Sequence, residues 1–158
     1  MLVQLQLYGL IFLVGSLTVS SLSDIRRMAA QRDFAEVWVA FTLLFLLYDI
    51  YHIDQLNPFN VVLKWLIISV FVLASAKFLK HVFVISTMDI AAVCAVTSLL
   101  TAKYVLLYLF IVLVFKEILT PILRQFGDAG AYPFLPVVLL STILIFAILS
   151  YGDVPQIT

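Results

Sequence analysis

The run Tyr104-Val105-Leu106-Leu107-Tyr108-Leu109-Phe110-Ile111-Val112-Leu113-Val114-Phe115 places twelve apolar side chains in succession before Lys116 interrupts it. A half-solvated strand alternates polar and apolar residues, and membrane barrels repeat such alternation in segments of about ten residues. Nothing here alternates. The segment to which the run belongs, 104–120, is long enough for a helix, and five more apolar segments share its character near 2–22, 35–53, 60–80, 82–101 and 135–151. The chain therefore reads as an all-α integral membrane protein, a bundle of about six transmembrane helices forming a single domain over 1–158.

Composition supports that reading. Of 158 residues 65% are apolar and 11% are charged, with a mean hydropathy of +1.19, against roughly 45–50% and about 25% in ordinary globular domains. A net charge of zero argues against nucleic acid as a partner, which would need a basic face. The lone Cys94 excludes an internal disulfide and a cysteine zinc site. No cofactor or metal is expected. The first segment carries Gln4 and Gln6 where a signal peptide would be basic, and it reads as a mature helix. Basic residues are retained on the cytoplasmic side of a membrane. With the amino terminus outside, Arg26, Arg27, Arg32, Lys77, Lys80, Lys116 and Arg124 all fall inside, leaving Lys64 and Lys103 near the outer face. The expected location is a cell membrane, crossed several times.

Ionisable residues within such segments cost roughly 2.5–3.5 kcal/mol to insert, so each asks for an explanation. Asp89 stands between Val82-Phe83-Val84-Ile85 and Ile90-Ala91-Ala92-Val93, with no neutralising neighbour in sequence. It either caps the inner end of the fourth helix or does chemistry. Asp24 ends the first helix, which runs outside to inside, whereas Asp89 opens the fourth, which runs inside to outside. Both carboxylates thus arrive at one membrane face. Asp24 on its own can also be an interfacial partner of Arg26 and Arg27. As a pair around a water, one carboxylate keeps a proton and polarises a carbonyl while the other accepts a proton from the water. That is the chemistry of aspartic peptide hydrolysis.

The stretch Ser23-Asp24-Ile25-Arg26-Arg27, following a first membrane helix, resembles the first catalytic aspartate region of type IV prepilin peptidases and archaeal preflagellin peptidases, the GxGD-type intramembrane aspartyl proteases. Ser86-Thr87-Met88-Asp89-Ile90 is similar to the second signature, and Pro133-Phe134-Leu135-Pro136 resembles the proline-containing approach to the last helix of those enzymes. The resemblance implies an aspartyl endopeptidase with Asp24 and Asp89 as catalytic residues, acting at the cytoplasmic face on leader peptides of pilin-like or flagellin-like precursors. Ser86 and Met88 stand where the family carries glycines, and no proline follows the first aspartate. The cysteine-rich insertion of many bacterial members is missing, which fits the compact archaeal branch. Nothing supports the N-methylation that those bacterial members add. An active enzyme requires Ser86 and Met88 to hold helical or strand-region angles. The competing reading is a non-catalytic membrane protein: an inactive homologue, an assembly partner or a proton-coupled transporter.

Other polar residues have plainer readings. Asp128, in Phe126-Gly127-Asp128-Ala129-Gly130, looks like a Gly-Asp motif but sits in a turn-rich loop. Asp33 and Glu36 suit the start of the second helix. With Glu117 and Asp128, they are also the acidic residues best suited to meet a basic leader. Asp49, His52 and Asp54 read as a polar outer rim beside Tyr48 and Tyr51 rather than a metal site, and Trp38 and Trp65 as interfacial anchors.

Overall fold

The computed structural model describes residues 2–27, 32–75, 86–123, 125 and 133–151. These form six helices and no strand: α1 (Leu2–Arg27), α2 (Arg32–Tyr51), α3 (Pro58–Ala74), α4 (Thr87–Ser98), α5 (Ala102–Leu123) and α6 (Leu135–Tyr151). The all-α reading holds. Helices over Asp33–Tyr51 and Ala102–Leu123 are long and apolar enough to cross a membrane, while α3, α4, Tyr8–Asp24 and Leu135–Ser150 are apolar over shorter lengths.

Local chemistry sets several boundaries. Pro58 opens α3 at a position where its missing N–H is not needed, and the Asn57 side chain accepts the N–H of Phe59 at 3.1 Å. The described part of this helix runs to Ala74, with Ser75 following in helical conformation at φ −63° and ψ −39°, and 76–80, also expected in it, lie outside the described residues. α4 starts at Thr87 instead of 82, because Ser86 and Asp89 form a reciprocal capping box; 82–85 also lie outside the described residues. Inside the helices, hydroxyls bond the carbonyls of the preceding turn: Thr18 to Val14, Thr42 to Trp38, Thr97 to Val93 and Thr142 to Val138. These four threonines thereby sit on helices of an apolar bundle with their hydroxyl donors paired.

α4 is the central element. Every residue from Ala91 to Leu100 is buried, and the helix meets α2, α6, α1 and α3. Its small side chains, Ala91, Ala92, Ala95, Cys94 and Ser98 among them, admit neighbours on all sides. Tyr108 on α5 and Thr142 on α6 join through their hydroxyls at 3.2 Å in the core. Trp38 corrects its expected place at an interface. It is 0% exposed, and its indole N–H donates to Ser16 Oγ of α1 at 3.0 Å, with Phe34 stacked beside it. A tryptophan can be buried once its single donor finds an acceptor.

Candidate functional site: two carboxylates at the foot of α6

Asp24 occupies the last part of α1 and is 9% exposed; Asp89 is the third residue of α4 and is 6% exposed. The chain brings them together across a separation of 65 positions because α1 arrives at the end of the bundle from which α4 and α6 depart. Asp24 Oδ2 accepts the backbone N–H of Leu135, the first residue of α6, at 3.3 Å, and the N–H of Phe134 also points to this carboxylate. The positive end of α6 thus faces Asp24. The buried Pro133-Phe134-Leu135-Pro136 run supplies that contact, with Pro136 tolerated in the first turn, where no helical N–H is required.

Asp89 is held differently. Its Oδ2 accepts the Ser86 N–H at 2.8 Å and the Ser86 hydroxyl at 2.8 Å, while Ser86 Oγ accepts the Asp89 N–H at 3.3 Å. Ser86 has φ −76° and ψ 160°, extended backbone open to any residue, and Met88 lies within helix α4. Neither position where the resembled peptidases carry glycine adopts a conformation that needs one. The two carboxylates are close enough for the charge of Asp24 to act on Asp89. No cation pairs with either among the described residues. The side chains of Arg26 and Arg27, expected as alternative partners of Asp24, lie outside the described residues, as does Asp128.

No family model, curated protein or solved structure matches the chain.

Beside Asp89, a groove of about 570 Å³ runs between α2 and α4, lined by Val39, Ala40, Leu43, Met88 and Ala91 with Glu36 among them. On α1 the hydroxyls of Ser20 and Ser21, one turn before Asp24, are buried without a hydrogen-bond partner among the described residues, as is Ser141 on α6. Small residues at these positions let α1 and α6 approach closely. The spacing Ser16, Ser20, Asp24 was the available signal for this buried face, since residues four apart share one side of a helix.

The opposite end of the bundle holds a cluster that composition and charge counting missed. Lys64, expected near the outer face, is 7% exposed and forms an ion pair with Asp49, itself 6% exposed. Trp65 Nε1 donates to the same Asp49 oxygen at 2.8 Å, and Lys64 Nζ donates to the Ser98 carbonyl at 3.2 Å. Asp49 thus faces α3, while His52 bonds the Tyr48 carbonyl at 3.0 Å and stacks on its ring. A signal did exist: an acidic and a basic residue flank the short connection between α2 and α3.

Proposed function

We propose that this chain is an integral membrane protein whose six helices span the bilayer with the amino terminus outside, and that Asp24 and Asp89 form an aspartyl endopeptidase dyad at the cytoplasmic face. Its substrates are pilin-like or flagellin-like precursors, cut at their leader peptides. The observation that carries the reading is the convergence of two buried, like-charged carboxylates at the foot of α6, held by neutral donors alone among the described residues. Like charges kept together out of water are costly and are found where chemistry needs them.

Membrane burial is supported by the outward faces of the helices. Leu43, Leu44 and Leu47 on α2, and Leu106, Phe110 and Leu113 on α5, are exposed at helical spacing. A helix packed on a soluble core turns such a stripe inward, and an exposed apolar surface of this extent needs lipid or protein to cover it. The lysine and arginine bias then sets the orientation.

In the reaction, a water lies between the two carboxyl groups. The ionised member takes a proton from it as the oxygen attacks the scissile carbonyl, and the protonated member donates to the carbonyl oxygen as it becomes tetrahedral. Collapse of that intermediate breaks the C–N bond, and a carboxyl proton passes to the leaving amine. The capping bonds fall on Oδ2 of Asp89 and the α6 bond on Oδ2 of Asp24, so the Oδ1 atoms are assigned to the water. The groove between α2 and α4 suits the apolar helix that follows a leader, with Glu36 suited to its basic residues.

A second reading is favoured by the capping box: Asp89 acts as a helix cap in a non-catalytic membrane protein. Co-expression of the chain with a prepilin or preflagellin precursor decides between the two. The peptidase reading expects a shortened product that is lost in Asp24→Asn and Asp89→Asn; the capping reading expects no product from the natural chain.

A further inference from the structure

We propose that Lys64 is a positioning residue that fixes α4 along its axis from the end remote from Asp89, and so sets the place of that carboxylate. The inference rests on the peptidase reading for its consequence in cleavage, and on the helix contacts alone for its structural part.

α4 is the shortest of the six helices, twelve residues rising about 18 Å. From Ala91 onward it is buried throughout, and its small side chains offer few large knobs to lodge between neighbouring ridges. Dispersion packing therefore resists separation of such a helix better than sliding. A polar contact at one of its ends supplies the missing axial constraint. At the start, the capping box ties Asp89 to Ser86 on the same segment and anchors nothing outside it. At the finish, Lys64 of α3 reaches the Ser98 carbonyl while paired with Asp49 of α2, linking three helices through one ammonium group. A cation at the carboxyl end of a helix meets unpaired carbonyls and the negative end of the dipole. Trp65 fixes Asp49 in turn, so the lysine's ion-pair partner is itself held. A cavity of about 50 Å³ adjoins the pair, lined by Tyr48, Asn57, Asn60 and Thr101, enough for water to solvate its remaining polar atoms. Displacing α4 at this end displaces Asp89 at the other, since a helix of twelve residues moves as a rod.

The test uses cysteine pairs in the full chain carrying Cys94→Ala, in membranes. Val39→Cys with Thr87→Cys spans the groove beside Asp89; Phe12→Cys with Phe41→Cys, at rings 6.0 Å apart between α1 and α2, is the control. Because removing Lys64 alone strands Asp49 as a buried anion, the principal variant is Asp49→Asn with Lys64→Met, which removes both charges. It is expected to keep the control cross-link and lose most of the groove cross-link, while Lys64→Arg keeps both. Without the cysteine pairs, the same double variant should cleave precursor more slowly by on the order of tenfold to a hundredfold, and Lys64→Arg should retain most of the natural rate. Retention of both cross-links in the double variant overturns the proposal, and so does their joint loss, which would mark a general support of the bundle. Selective loss of the groove cross-link in a chain that cleaves no precursor supports the positioning role and sinks the peptidase reading alone.

Discussion

The two ends of the bundle treat buried charge in opposite ways. At one, Asp49 and Lys64 neutralise each other and bind α2, α3 and α4 together; at the other, Asp24 and Asp89 share a region with no cation beside them among the described residues. An ion pair with its remaining atoms hydrogen-bonded is a solution to burial. Two carboxylates on neutral donors leave burial unsolved, and the fold tolerates them through the N–H groups at the start of α6 and the Ser86 cap. The contrast separates a charge that holds the structure from charges that use it.

The largest effect expected from that contrast is on cleavage. Asp24→Asn and Asp89→Asn should each reduce precursor processing by on the order of a thousandfold or more, because members of a catalytic unit fail together. Asp128→Asn should retain much of the activity, and all three should insert in the membrane at natural levels. Wild-type processing by Asp89→Asn would falsify the dyad.

Stability should move the other way round. Lys64→Met leaves Asp49 buried without its cation and should lower stability by about 3–5 kcal/mol, read as an earlier midpoint in detergent-induced unfolding. Asp24→Asn should leave the midpoint unchanged or raise it, since an amide oxygen still accepts the Leu135 N–H and the repulsion with Asp89 is gone. A drop for Asp24→Asn as large as that for Lys64→Met would erase the distinction between the two ends.

The six helices were legible because each apolar segment is long, nearly uninterrupted and bounded by charge or turn residues, as at 104–120 and 135–151. The meeting of Asp24 with the start of α6 followed in outline from alternating helix direction, although the atom that holds it, the Leu135 N–H, is 111 positions away and depends on the closed fold. Pairing within the bundle was less legible. Charge counting places Lys64 by depth along the membrane, near the outer face, and says nothing of rotation about a helix axis; rotation points it inward at Asp49. Trp38 failed for a related reason. Its ring suits an interface by composition, and only the presence of Ser16 across α1 gives its N–H an acceptor in the core. The limit of α4 was readable in Ser86-Thr87-Met88-Asp89, whose ends match a capping box with aspartate at the third helical position, but the apolar residues 82–85 before it pull a hydropathy window outward.

The smallest effect, and the sharpest on the catalytic end, concerns Ser86. It stands where the resembled family carries glycine, yet its backbone is extended and its hydroxyl bonds the carboxylate of Asp89 at 2.8 Å. If glycine's freedom were needed here, Ser86→Gly would raise cleavage. The observed angles need no such freedom, so that variant should cost only a few tenths of a kcal/mol in stability and little activity, whereas Ser86→Ala should cost about 1 kcal/mol through loss of the cap. The ranking Gly above Ala in detergent unfolding tests the cap; near-equal cleavage by Ser86→Gly and the natural chain tests the pre-set geometry. Met88 is helical, so Met88→Gly adds a loss of about 1 kcal/mol in helix propensity and should gain nothing. The opposite result has a definite meaning: if the natural chain leaves a precursor intact and Ser86→Gly with Met88→Gly cleaves it, the capping box locks Asp89 away from its partner. Asp24 and Asp89 would then be a disabled pair, with α4 serving structure at both of its ends.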